Sequence, residues 1–328
     1  DNHVSWDGGG LALYGFGGEV RGCVIRGNGL GGRYGAGVFC AAGGSPRLVN
    51  CLIVGNAGVA DGGGLFSWQT PVELVNCTVA GNEANRYGGG VYASAGASVA
   101  LRNCVVWTNW SGSAGQQVYA AGAVSADRCD VEEGDSWDLY GALARTACLN
   151  QYPVFFDLAS GGLQLAAGSP CVDAGDNAWA PPGPDLAGLA RVRDGDGDGT
   201  ATVDMGAYEH PGSLPPGPAW GAWPEDGAPA APIDACLSWN AGTGAYVHAV
   251  CFGTSASAVS NAAPGAAEYR GRQSACRWDP PGYLAWDVDY YWRVDEINSA
   301  GTATGAVWRF RTVLPDAPAA AFAAEPRE

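Results

Sequence analysis

The feature that most constrains this chain is a repeat of about 27 residues in its first half. It is visible in Gly22-Cys23-Val24-Ile25-Arg26-Gly27-Asn28, Asn50-Cys51-Leu52-Ile53-Val54-Gly55-Asn56, Asn76-Cys77-Thr78-Val79-Ala80-Gly81-Asn82 and Asn103-Cys104-Val105-Val106-Trp107-Thr108-Asn109, whose cysteines step by 28, 26 and 27. A second register agrees. Gly8-Gly9-Gly10-Leu11, Gly35-Ala36-Gly37-Val38, Gly62-Gly63-Gly64-Leu65, Gly88-Gly89-Gly90-Val91 and the degenerate Gly115-Gln116-Gln117-Val118 place their apolar residues 27, 27, 26 and 27 apart. Five coils follow, with Cys129 marking the last. Within each coil, short apolar/polar alternation is broken by Gly and Asn, which predicts about three short strands joined by tight turns. One such coil cannot bury its apolar face alone, so the coils must stack as a β-solenoid.

Stacking at ~4.8 Å puts equivalent residues above one another. Cys23, Cys51, Cys77, Cys104 and Cys129 then form an inward column, packed as thiols rather than ladder disulfides, beside Ile25, Ile53, Val79, Val106 and Val131. Val20, Leu48, Leu74, Leu101 and Ala126 form another. Asn28, Asn56, Asn82 and Asn109 become an asparagine ladder, each carboxamide bonding the next coil and satisfying backbone that turns cannot pair.

The 52 glycines therefore serve an architecture, and 47% hydrophobic residues supply its core. The formal charge of -16 excludes nucleic acid and acidic membranes as partners. No run approaches the ~18 apolar residues of a membrane span, and Asp1-Asn2-His3 lacks the basic and apolar regions of a signal peptide.

These segments resemble the right-handed parallel β-helix repeats of pectate-lyase-like and polymorphic outer-membrane proteins, over about residues 8 to 210. Gly168-Ser169-Pro170-Cys171-Val172-Asp173-Ala174-Gly175-Asp176 and Val203-Asp204-Met205-Gly206-Ala207-Tyr208-Glu209 are similar to the closing segment of secreted bacterial β-helix proteins. The resemblance implies a fold, and it leaves function open because that scaffold hosts lyases, hydrolases, adhesins and structural proteins.

Residues 211–232 hold seven prolines, which disfavours helix and central strand and predicts a linker with an edge strand. Beyond it, Leu237, Trp239, Tyr246–Phe252, Tyr290–Val294 and Val307–Arg311 alternate apolar and polar residues, predicting a small β-sandwich over 233–314. Leu284 followed by Tyr290 and Trp292-Arg293-Val294 resembles the fibronectin type III pattern, which implies that the Tyr290 hydroxyl ties down a corner. The all-β expectation is thus a parallel β-helix, an Ig/fibronectin III-like sandwich, and an Ala/Pro-rich tail over 315–328.

The sharpest chemical motif is Asp194-Gly195-Asp196-Gly197-Asp198-Gly199-Thr200, where carboxylates at alternate positions converge on a hard cation such as Ca2+. A closing carboxylate has to come from Asp204, because Met205 stands at the twelfth position, and Thr200 offers a carbonyl. Cys236 and Cys276, on strands expected to be neighbours, are candidates for a disulfide, with Cys148 and Cys171 a weaker pair. The histidines His3, His210 and His248 are scattered, so zinc and Cys/His catalysis have no motif. Glu19, Arg47 and Glu73, with Arg102 beside Asp127, read as an outward ladder of alternating charge rather than an active site. Phe39, Phe66, Tyr92 and Tyr119 stack on an outer face, while Val24, Leu52, Val54, Val105 and Trp107 line another. Aromatic columns either bind sugar rings or pack against protein, and coverage by protein is the first expectation.

The expected role is that of an extracellular structural or adhesive surface protein. The competing class is a polysaccharide lyase or hydrolase, or a carbohydrate-binding scaffold. The first repeat begins at Gly8 and leaves a coil edge open, so copies of the chain are expected to join head to tail through residues 316–328, forming a filament; surface glycans are the other expected partner.

Overall fold

The structure, a computed structural model, describes residues 7–29, 32–134, 136–156, 162–212 and 214–314. The tail at 316–328, on which the filament expectation rests, lies outside them. Two compact units divide the chain, the first spanning residues 1–155 and 164–212 and the second the remainder. Among the described residues no helix is long and apolar enough to cross a membrane.

The first unit is a parallel β-helix. One face stacks Leu11, Val38, Leu65, Val91, Val118 and Leu139 in register. A second stacks Val20, Leu48, Leu74, Leu101 and Ala126, and a third Ile25, Ile53, Val79, Val106 and Val131. Leu48, Leu74, Ile53 and Val79 are fully buried. A fourth, short sheet runs through Val59–Asp61, Glu83–Tyr87 and Trp110–Ser111. Its strands are too polar to alternate visibly in the sequence.

The triple glycines and the asparagine ladder explain one another. Asn28, Asn56 and Asn82 each donate from Nδ2 to the Oδ1 of the next asparagine at 3.0, 2.9 and 2.9 Å. Their backbone N–H groups donate to the same oxygens. A side chain at Gly64 would put a Cβ 3.1 Å from Asn82 Nδ2 and 2.5 Å from the Gly90 carbonyl. The third glycine of the motif leaves room for the ladder.

The cysteine column stays as thiols. Each sulfur lies near the carbonyl two residues back, as in Cys104 to Arg102 at 3.2 Å and Cys129 to Asp127 at 3.4 Å. Cys148, near the Ala126 carbonyl at 3.4 Å, adds a rung. Burial pushes the Cys77 and Cys129 thiols up, while hydrogen bonds from those two hold the Cys51 and Cys104 thiols down.

Before each cysteine, Asn50, Asn76 and Asn103 adopt φ of 51, 48 and 50°, a left-handed conformation that asparagine tolerates. Their carboxamides leave the solenoid and hold residues 176–206 against it. Asn50, Asn76 and Asn103 donate to the carbonyls of Pro184, Asp204 and Asp176 at 3.0, 2.9 and 3.0 Å. Arg191, itself buried, donates to Asn50 Oδ1 at 2.7 Å and pairs with Glu209 at 2.6 Å. Gly206, at φ 97°, passes so close that a Cβ would sit 2.8 Å from Thr78 Oγ1. This segment covers the outward residues Leu52, Thr78 and Val105, whereas Val24 on the first coil stays exposed.

In the second unit, Trp220–Trp223, Leu237–Asn240 and Arg277–Trp278 form one sheet, and a second is built on Val247–Gly253, Asp289–Asn298 and Trp308–Thr312. Leu237, Trp239, Phe252, Trp292 and Phe310 share one core. The proline-rich stretch holds two strands instead of one, Trp220–Trp223 and Ala228–Ala231, and both lie at sheet ends, where a missing N–H does no harm. The all-β expectation misses one short helix, Ala256–Ser260, whose C-terminal carbonyls at Val259 and Ser260 accept from the buried Arg293. The Tyr290 hydroxyl accepts from the Ala285 N–H at 3.0 Å.

The proposed Cys236–Cys276 disulfide is corrected. Leu237 pairs with Trp278 and Ser238 with Arg277, and the Trp239 N–H reaches the Cys276 carbonyl at 3.1 Å. Cys276 therefore stands opposite Trp239, on its face, while Cys236 alternates to the other face. Cys148 and Cys171 are also separate thiols, the latter donating to Asp130 Oδ2 at 3.2 Å.

Candidate functional site

On the second face of the β-helix the outward charges form a continuous chain. Arg47 bridges Glu19 at 3.0 Å and Glu73 at 2.7 Å, and Arg102 bridges Glu73 at 2.8 Å and Asp127 at 3.8 Å. The two flanking guanidiniums hold the Glu73 carboxyl below its usual range against the opposing effect of burial. Glu19, Glu73 and Asp127 are thus each paired with an arginine of a neighbouring coil.

The first face carries an aromatic column. Phe39–Phe66, Phe66–Tyr92, Tyr92–Tyr119 and Tyr119–Tyr140 stack at 5.8, 4.4, 4.7 and 4.3 Å between ring centres, and Tyr14 joins Phe39 at 5.5 Å. The parallel register enforces this, because Phe39, Phe66, Tyr92, Tyr119 and Tyr140 are directly paired. Phe39 and Phe66 are buried by their neighbours, Tyr34 among them at 4.6 Å from Phe66. The ends are open, Tyr14 being 60% exposed and Tyr140 49%, and Trp68 beside Phe66 is 43% exposed. Burial and its stacked tyrosine neighbours push the Tyr119 hydroxyl up to about 12, so it remains a neutral donor.

At the first-coil end of this column, Tyr14, Tyr34, Phe39 and Trp68 wall a cleft of ≈ 480 Å³ together with Asp7, Arg33 and Gln69. Asp61, next to Tyr34 in a parallel bridge, pairs through Oδ2 with Arg86 at 2.6 Å, and its buried Oδ1 has no hydrogen-bond partner. Flat rings beside a few polar groups can stack on the apolar face of a sugar and bind its hydroxyls. Trp107 is not part of this surface. It is buried on the third face, edge-on to Tyr152 at 6.3 Å.

The aspartate loop is an ordered turn. Asp194 accepts from the N–H groups of Gly197 and Gly199 at 2.6 and 2.9 Å, Asp196 from Asp198 at 2.9 Å, and Asp198 from Thr200 at 2.7 Å. One carboxylate oxygen each from Asp173, Asp194 and Asp196 lie within 4.8 Å of one another. Asp198 is not in that group. The expected closing ligand, Asp204, is a correction: it is buried, with Oδ1 accepting from the Asp173 N–H at 2.7 Å and Oδ2 from the His210 N–H. Burial pushes its carboxyl up to about 7 against those hydrogen bonds. Asp173 takes its place from a distant stretch of sequence that carries no aspartate alternation. Three carboxylate oxygens are the donor type that a hard cation of the calcium class takes.

Residues 1–132 match the family described as the right-handed beta helix region. With the parallel stacking above, the match supports a right-handed parallel β-helix as the fold of the first unit. No curated protein and no solved structure matches the chain.

Proposed function

We propose that this chain is an extracellular adhesive or structural module in which the β-helix is a rigid, non-catalytic scaffold and the aromatic cleft is its recognition surface for neutral glycans. The observation that carries this reading is the ring set around one cleft with polar neighbours, Tyr14 and Trp68 exposed and Tyr34 half-buried between them. The formal charge of -16 favours uncharged sugars over acidic ones. The neutralised charge ladder supports scaffold over lyase or hydrolase, since each outward acid is already paired.

Two further elements belong to this reading. Calcium at Asp173, Asp194 and Asp196 relieves repulsion among clustered carboxylates and stabilises the closing segment. The second unit is a fibronectin III-like spacer, supported by the Tyr290 hydroxyl bond to Ala285. Affinity electrophoresis in gels cast with neutral polysaccharide tests the recognition surface. Retardation lost in Trp68→Ala supports it, and equal mobility of wild type in all gels sinks it.

A further inference from the structure

The second unit brings together three side chains that no sequence motif connects. Cys276 Sγ lies 3.4 Å from His248 Nε2, and His248 Nδ1 lies 2.5 Å from Glu296 Oε2. His248 and Glu296 sit directly opposite each other on the antiparallel strands Val247–Gly253 and Asp289–Asn298. They are 3% and 0% exposed, whereas Cys276 is only partly covered. The Trp239 ring stands edge-on to the imidazole at 5.6 Å, and Glu296 Oε1 accepts from the Gly242 N–H at 3.4 Å.

A nucleophile bonded to a base that a third group orients is the arrangement by which weakly acidic side chains are activated. We propose that Cys276 is a reactive thiol at which this chain forms a mixed disulfide with a small disulfide of the cystine class. His248 Nε2 takes the proton from Sγ, and the resulting thiolate attacks one sulfur of the incoming disulfide. That S–S bond breaks as the new one to Cys276 forms, and the imidazolium returns the proton to the departing thiolate. No oxidant other than the disulfide is consumed.

The charge on the imidazole is well supported. Burial opposes it, but the hydrogen bonds and charge of Cys276 and Glu296 push His248 up to about 9. On the paired strands, Arg272 and Asp295 stand opposite Ala249 and Arg293 opposite Cys251, on the other side of the sheet from His248. Arg277 is taken up by Cys236 Sγ at 2.8 Å. Because Cys236 points from the opposite face, it cannot attack the adduct, so the mixed disulfide persists instead of resolving into a protein disulfide. The partial cover over Cys276, which packs against the core with Trp239, admits a small disulfide in preference to one carried by a folded protein.

The test treats the full chain with oxidised glutathione between about pH 5 and pH 8 and follows adducts by intact mass and peptide mapping. The expected first adduct is on Cys276, with a rate at pH 6 at least ~10-fold above that of thiols in the urea-unfolded chain. His248→Asn should slow it ~10-fold or more, Glu296→Gln less, and Cys236→Ser not at all. A first adduct on another cysteine overturns the proposal, as does a Cys276 rate that rises with pH in parallel with the unfolded chain. The wild-type pH profile stands by itself, so a variant that fails to fold leaves the test intact.

Discussion

Asn109 Nδ2 donates to Gln117 Oε1 at 2.8 Å, and the Asn109 N–H reaches the same oxygen at 3.2 Å. Gln117 occupies the position of the third glycine in the earlier coils, and its carboxamide stands where the next ladder asparagine would be. Its own Nε2 passes the chain on to Glu132 Oε2 at 2.7 Å. What reads as a decayed repeat is therefore the cap of the ladder.

Restoring the consensus glycine should weaken the protein. Gln117→Gly leaves two donors of Asn109 without an acceptor in a fully buried site, at a cost of about 1–3 kcal/mol. The urea midpoint, followed by near-UV circular dichroism, should fall.

Asn82→Ala should cost more, about 2–4 kcal/mol, because this central rung bonds both neighbours and the Ile53 carbonyl. Thermal unfolding should begin well below that of wild type, and below that of Gln117→Gly.

Asp130 gives a pH signature. Burial pushes its carboxyl from the usual 3.8 to about 6, so between those values the folded chain holds a proton that the unfolded chain has released. Its contribution to stability is greatest below about pH 4 and is lost as pH rises through about 6, on the order of 2 kcal/mol. Asp204 acts in the same direction up to about 7. Asp130→Asn keeps the bond from the Gln151 N–H, so urea midpoints at pH 4 to 7 should show a flatter decline than wild type.

Calcium should raise the melting temperature, and chelator should lower it again. Asp173→Asn and Asp194→Asn should abolish the shift. Asp204→Asn should lower the starting temperature yet preserve the shift, since Asp204 anchors backbone rather than facing the loop. A calcium shift lost in Asp204→Asn alone would reverse that assignment.

The columns of the β-helix were legible because their period places chemically alike residues at one register. Thus Cys77, Val79 and Asn82 announce their neighbours above and below. The role of Asn50, Asn76 and Asn103 was hidden, although they stand in the same motif, because their partners lie 73 to 134 residues away in an irregular segment. The fourth sheet is not legible in the sequence because Glu83–Tyr87 carries little apolar alternation. The faces of Cys236 and Cys276 are not legible in the sequence because the register across their sheet is set by the long path through Ala256–Ser260 and Tyr269–Gln273, and a step of one residue reverses a side chain's face. The same register created the contact between Cys276 and His248, 28 residues apart, which no spacing rule would have selected.

The most direct test of the adhesive account is calorimetric titration of the full chain with neutral oligosaccharides, coupled to chromatography of the sugar afterwards. The account predicts saturable binding, at least ~10-fold weaker in Tyr34→Ala and Trp68→Ala, with the oligosaccharide recovered intact. Binding that survives both substitutions, or shortened sugar in the eluate, would contradict it.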